Sequence, residues 1–392
     1  MRLGIITGEY PPMDGGVGAY TQILAYEMSR MGHQIEILTR QISGETENNS
    51  NVTVRKAIKG KWGWRSTEEI ARWTAKYAPD AVIIQFQTAA YDMHPAIHWV
   101  PSALRRQSVP SIVTFHDLRV PYLFPKAGRV RRWIVNKLAH DADGVICTDS
   151  EDFDILKADK RVRRLVRIPI GSNISPRDTN QTMRDEVRRE LSIRPSQLLV
   201  GYFGFVSQSK GVGVLLDALA RLIASGLDAH LVMIGGHAAE VDNQMSAYQS
   251  EVMEDIRHKY LDQRVHWTGF APESQIGNWL SGCDIIALPF LDGVSLRSGT
   301  LMAALAHGKA IVTTAPRVDI PELEHAMEYA KPADAEDLAN KIGTLWHEVA
   351  RRKDFEQRAA EVSKRYFSWD EIARRTIAFC QEICSVELAN HT

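Results

Sequence analysis

Three stretches carry residue types able to hold an anion, and each follows an apolar run. The first is "TGEYPPMDGGVGAY", residues 7–20, where Gly15, Gly16 and Gly18 lack Cβ atoms and let the backbone come close to a ligand. A helix predicted from about Val17 would offer its free N–H groups to a phosphate there. The glycine spacing is not that of a dinucleotide fingerprint, and a structural turn without ligand accounts for it equally well. The second stretch, "GYFGFVSQSKGVGVLLDAL", places Lys210 one residue before Gly211 and a predicted helix, where an ammonium would meet phosphate oxygens facing the helix start. The third, "LPFLDGVSLRSGTLMAALAHGKAIVTT", residues 288–314, sets the bidentate donor fork of Arg297 ahead of Ser298, Gly299 and Thr300, which open a helix of small residues. Either of these two loops alone is a weak signal, but together they can converge on one diphosphate.

Short apolar runs must position these loops. "RLGIIT", "IEILT", "AVIIQF", "SIVTF" and "GVICT" recur in the first half, and "LLVGYFG", "HLVMIGG", "VHWTG", "DIIAL" and "AIVTT" in the second, each followed by an amphipathic stretch. Continuous apolar strands at helical separation predict parallel sheets covered on both faces. The series restarts near Leu198, after "SPRDTNQTMRDEVRRELSIRPSQ", which is polar, charged and bracketed by prolines as a linker would be. The expected architecture is α/β: two doubly wound, Rossmann-like domains in tandem facing a cleft, over 1–175 and from 198 onward, with a linker at 176–197. Ligands bind such sheets at the carboxyl ends of strands, which is where all three loops fall.

Composition narrows the class. With 392 residues and 44% hydrophobic content the chain can bury two cores, and 47 Lys and Arg against 48 Asp and Glu leave no global field to draw it to nucleic acid or to an anionic membrane. "MRLGIITGEYPP" is too short in apolar residues for a signal segment and no run reaches transmembrane length, so a cytoplasmic location is expected. Of the four cysteines, Cys147 and Cys283 lie in apolar segments, and Cys380 with Cys384 supply too few ligands for zinc. They read as ordinary thiols, and no metal site is expected. "DAD" at 141–143 precedes a strand and more simply ends a helix.

Taken together, the motifs resemble the retaining nucleotide-sugar glycosyltransferases of family 4, which have the GT-B fold. The resemblance runs over nearly the whole chain, through "EYPPMDGGVGAY", "TFHDL", "GVICTDSEDFDIL", "RIPIGSN", "SKGVGVLLDAL", "LVMIGG", "VHWTGFAPESQI" and "LAHGKAIVTT". The closing "YFSWDEIARRTIAF" is similar to the family's last helix, so that 366–392 is expected to return to the N-terminal domain and 198–365 to form the nucleotide-sugar domain. The resemblance implies that Gly15, Gly16 and Gly18 approach the donor, that Lys210 binds its diphosphate beside Gly204 and Gly211, that His116 lies near the reacting sugar, and that Glu273 lines the base pocket.

Two departures stand out. Where the family has an arginine after the glycine of "YFGFVSQSK", Phe205 is found, and Arg297 is expected to supply the guanidinium. The family's two glutamates fall on Ser295 and Ala303, aligned through Gly308. Ser295 can meet the donor sugar only as a neutral group, Asp292 is a candidate to take over, and Ala303 cannot hold a ribose.

On the acceptor side, "IIQFQTAAYDMHP" offers Gln85, Gln87, Tyr91 and His94, suited to hydroxyls, with Gln87 and Tyr91 the chosen candidates. From Leu118 to His140, Arg119, Lys126, Arg129, Arg131, Arg132 and Lys137 occur without an acidic residue among Tyr122, Leu123, Phe124 and Trp133. Such a segment suits either a solvated face or peripheral contact with an anionic inner membrane face. The expected activity is metal-independent retaining transfer from a UDP- or GDP-hexose to a saccharide or lipid-linked acceptor, with no cofactor and UDP or GDP as bound product. The alternative is a nucleotide-sugar-binding protein impaired in catalysis. An epimerase or phosphorylase would need carboxylates or a cofactor lysine that have no place here.

Overall fold

The computed structural model describes residues 1–13, 15–41, 50–118, 128–176, 181–235, 243–269 and 271–391, the side chains of 128–132, 243–246 and 387–391 apart. The basic and aromatic residues from Arg119 to Arg132 therefore lie outside the described side chains. The chain divides into two compact units, Met1–Gly171 with Ser368–Thr392, and Ser172–Phe367.

In the first unit β1 (Arg2–Thr7), β2 (Gln34–Arg40), β3 (Val52–Ile58), β4 (Ala81–Phe86), β5 (Ser111–Phe115), β6 (Gly144–Cys147) and β7 (Leu165–Arg167) form one parallel sheet in the order β3-β2-β1-β4-β5-β6-β7. Strand order reverses between β1 and β4, which leaves a crevice at their carboxyl ends. All six residues of β4 are buried, as a strand covered on both faces must be. One face carries helix Gly16–Arg30 and the terminal helix Trp369–His391. Ile372, Ala373, Ile377, Cys380 and Ile383 repeat at helical spacing and pack with Leu3, Ile5, Leu24 and Ile83, which holds the chain's last segment to its first domain. A side chain at Gly144 would meet the Phe379 ring at 2.8 Å, so the sheet admits this helix only at a glycine.

In the second unit β8 (Leu198–Phe203), β9 (Ala229–Ile234), β10 (Val265–Trp267), β11 (Ile285–Leu288), β12 (Ile311–Thr314) and β13 (Glu328–Ala330) run parallel in the order β10-β9-β8-β11-β12-β13, reversing between β8 and β11. The segment expected as a linker is part of this unit. It contains helix Gln181–Glu190, with Val187 filling the space left by Gly282. Arg188, 4% exposed, donates to Asp284 Oδ2 at 3.0 Å, to Arg194 O at 2.7 Å and to Gln197 O at 2.5 Å, while Asp284 also accepts from Leu199 N at 2.8 Å. The charge that suggests a solvated linker is thus a buried ion pair whose terminal guanidinium nitrogens are hydrogen-bonded.

Candidate functional site

At the second unit's switch point the two predicted loops meet. Gly204 leaves β8 at φ +131° with its α-carbon against Thr300, whose Cγ2 would lie 2.8 Å from an added Cβ. The chain then makes a short turn, Gln208–Lys210, and Gly211 opens helix Val212–Ala224 in the left-handed region at φ +69°. A side chain at Gly211 would lie 2.0 Å from Pro289 O, so only glycine lets the loops after β8 and β11 come this close. Leu291 N donates to Ser209 O at 3.0 Å and joins them. Lys210 Nζ lies 4.6 Å from the centroid of the Phe290 ring, and burial lowers its pKa.

Across the loop, Ser298 caps helix Gly299–Ala306, accepting from Leu301 N at 3.3 Å and pairing with Thr300 Oγ1 at 2.9 Å. Arg297 is half-buried just ahead of it, and Ser295 O accepts from Ser298 N at 3.1 Å. Leu301, Met302, Ala303, Ala304 and Leu305 are all buried. A carboxylate at position 303 would be desolvated on every side, which is a physical reason for alanine there. Asp292 forms an ion pair with Arg317, on the far side of Gly293, so the carboxylate expected to replace Ser295 already has a partner. Glu273 is exposed in the first turn of helix Glu273–Gly282, where a negative charge suits the helix dipole. Among the described residues no group of three or more His, Cys, Asp or Glu could hold a metal ion.

At the first unit's switch point Glu9, which sequence reasoning did not single out, dominates. Its Oε1 accepts from Val17 N at 2.9 Å and Gly18 N at 3.2 Å, so the anion at this helix start is the chain's own carboxylate. An added Cβ at Gly15 would lie 2.3 Å from that oxygen, and at Gly18 3.1 Å from Tyr10 Cα, whereas Gly16 has open space. The glycines let the helix start close over Glu9. A carboxylate seven residues ahead of a helix gives no local sequence signal.

His116 follows β5 directly. Its Nε2 donates to Gln85 Oε1 at 2.8 Å, the edge-on ring of Tyr20 lies 4.7 Å away between centroids, and burial depresses its pKa to about 3. Gln87 closes its own turn, accepting from Ala90 N at 3.1 Å. Tyr91 corrects an expectation: it is 1% exposed, its hydroxyl donates to Gln85 O at 2.9 Å and Ile6 O at 3.2 Å, and its ring packs against Trp62. Its single O–H proton is shared between two carbonyls of the sheet, so Tyr91 is a core residue and not an acceptor contact.

Lys137, from the basic segment, pairs with Asp141, and Trp133 is exposed. Among the described residues no helix is long and apolar enough to cross a membrane. Cys147, Cys283 and Cys380 are buried, and burial pushes the Cys283 thiol up to about 12, which leaves it unreactive.

Residues 15–171 match the family described as Glycosyl transferase 4-like domain, and residues 197–348 match Glycosyl transferases group 1. The chain is 23% identical over 421 residues to a D-inositol 3-phosphate glycosyltransferase of Corynebacterium urealyticum, covering 96% of this chain and 94% of that one. It is also 23% identical over 338 residues to an alpha-monoglucosyldiacylglycerol synthase of Streptococcus pneumoniae, covering 79% and 71%. Similar solved structures include sucrose-phosphate synthase from Thermosynechococcus elongatus, with a TM-score of 0.76 at 18% identity over 98% of this chain and 100% of that one. Another is Anabaena HepE in complex with UDP-glucose, with a TM-score of 0.72 at 16% identity over 97% and 100%. Both halves carry a doubly wound sheet and are matched in order, and the chain belongs to the family-4 type of glycosyltransferases, GT-B enzymes that transfer a glycosyl group from a nucleotide sugar.

Proposed function

We propose that the chain transfers a hexose from UDP- or GDP-hexose to a hydroxyl of a saccharide or lipid-linked acceptor, with retention at the anomeric carbon and without a bound metal. The observation that carries this reading is the junction of the loops after β8 and β11, where Gly211 lies against Pro289 O and Lys210 rests on Phe290. The breaking bond is that between the anomeric carbon and the diphosphate oxygen. Negative charge growing on that oxygen would be met by Lys210, Arg297 and the amides opening helices Val212–Ala224 and Gly299–Ala306. A diphosphate beside Lys210 would also reverse the pKa lowering that burial imposes on it. The acceptor hydroxyl attacks the face the diphosphate leaves and gives its proton to the departing diphosphate oxygen, so no protein nucleophile is required. His116 offers a neutral imidazole to a sugar hydroxyl.

The solved complex of Anabaena HepE with UDP-glucose favours a uridine donor, and the diacylglycerol-derived product in the name of the pneumococcal relative favours a lipid-linked acceptor. The run of basic and aromatic residues from Arg119 to Lys137 supports peripheral contact with anionic lipid, which flotation with phosphatidylglycerol vesicles would test. Calorimetric titration with UDP, GDP, ADP and their glucose and mannose conjugates tests the donor. Lys210→Ala and Arg297→Ala should each weaken the selected nucleotide by about 1.5–3 kcal/mol, the range for a hydrogen bond to a charged group. Turnover should persist in EDTA. Failure of every nucleotide to bind at millimolar concentration would remove the basis of the proposal.

A further inference from the structure

Gln85 is fully buried in β4, and every other residue of that strand is apolar. In the parallel register it stands beside Thr7 of β1 and Thr114 of β5, on the face whose earlier residues Ile5, Ile83 and Ile112 pack under helix Gly16–Arg30. Its Oε1 accepts from His116 Nε2 at 2.8 Å, whereas its Nε2 and the neighbouring Thr114 Oγ1 are buried without a hydrogen-bond partner among the described residues. A buried amide with its NH2 unpaired weakens a fold, and an unbranched apolar residue would fill the same space without that defect. The one side-chain bond that offsets this cost is the one to His116, so what glutamine contributes at this place it contributes through that ring. The imidazole also meets the edge-on ring of Tyr20, which in turn packs 5.2 Å from Trp369 on the terminal helix.

We propose that Gln85 is the positioning residue of His116: its carbonyl fixes the ring and keeps the proton on Nε2, so that Nδ1 is the acceptor for a sugar hydroxyl. The carbonyl can only accept, so a neutral imidazole bonded to it has its lone pair on Nδ1. A hydroxyl donates to that lone pair. The functional half of the proposal rests on the reading of His116 as a sugar contact.

Nitrogen-15 NMR of histidine-labelled protein at pH 7, with the His116 signals assigned by their loss in His116→Ala, reads the tautomer directly. The wild-type ring should carry its proton on Nε2. Gln85→Met should shift it towards Nδ1 or a mixture and lower kcat/KM for UDP-glucose turnover tenfold or more. An Nδ1–H ring in the wild type, or an unaltered ring in Gln85→Met, overturns the assignment, and the wild-type spectrum decides this even if the variant folds poorly. A changed tautomer with kcat/KM held within twofold upholds control of the ring by Gln85 and overturns the reading of His116 as a sugar contact.

Discussion

Replacing Gly211 by alanine should separate the cost of a left-handed backbone from the cost of parting two loops. Gly226 provides the comparison: it also has positive φ, +93°, but an added Cβ there has nothing within 4 Å. Alanine at Gly226 should cost only the backbone conformation, about 1–2 kcal/mol. At Gly211 the same conformational cost applies, and the new Cβ would also lie 2.0 Å from Pro289 O, when ordinary contact begins at 3.4 Å. Relieving that overlap needs a shift of over 1 Å in a packed region, about 1–3 kcal/mol. The shift would also break the 3.0 Å bond from Leu291 N to Ser209 O, about 1 kcal/mol. Gly211→Ala should therefore destabilise the second unit by about 4 kcal/mol, some 2–4 kcal/mol beyond Gly226→Ala, and weaken nucleotide binding at least tenfold because Lys210 moves with the loop. Urea unfolding followed by tryptophan fluorescence, with calorimetric titration of UDP and GDP, measures both. Equal destabilisation by the two substitutions, or an affinity within threefold of wild type in Gly211→Ala, would refute the claim that this close approach builds the nucleotide site.

Glu9→Ala removes the acceptor for Val17 N and Gly18 N, and should lower the melting free energy by about 1–2 kcal/mol as loss of a helix cap does; thermal denaturation beside Glu9→Gln, which keeps an acceptor, checks it. Tyr91→Phe loses the hydroxyl bonds to Gln85 O and Ile6 O, and should cost about 1 kcal/mol of stability while leaving acceptor KM within twofold. Burial holds His98, His116 and His230 neutral, with pKa values near 4, 3 and 4 against the usual 6.5. Below pH 6.5 the unfolded chain takes up protons that the folded chain refuses, so stability should fall towards pH 4 by up to about 1.4 kcal/mol per pH unit for each histidine. Urea unfolding at pH 7 and pH 5 should show a flatter dependence in His98→Gln than in wild type.

The strands were legible because both sheets are covered on each face, which leaves unbroken apolar runs such as "AVIIQF" and "DIIAL". The meeting of the Lys210 and Arg297 loops was legible from their place after strands in one half of the chain. What sequence reading lost depended on distant partners. Tyr91 offers a polar tip that a hydroxyl-binding site and a sheet carbonyl can use equally, and only the fold shows which one takes it. Helix Gln181–Glu190 read as a linker because Arg188 finds Asp284 nearly a hundred residues away. Gln85 was visible as a polar residue in an apolar strand, but its bond to His116 joins two strands.

The two switch points use one steric device with opposite electrostatics. In the first unit an added Cβ at Gly8 would come within 2.3 Å of Ala90 O, and in the second one at Gly211 would come within 2.0 Å of Pro289 O. Each glycine lets the loop after one strand close on the loop after its neighbour across the reversal of strand order. The helix beside the first crevice spends its amides at Val17 and Gly18 on Glu9, so a diphosphate brought there would face a carboxylate. The helix beside the second opens on a glycine with no side chain to cap it and with Lys210 one residue ahead. Like charges in close range repel, and an anion gains where amides and an ammonium converge. The same fold, built twice, thus favours an anion at the second switch point and disfavours one at the first.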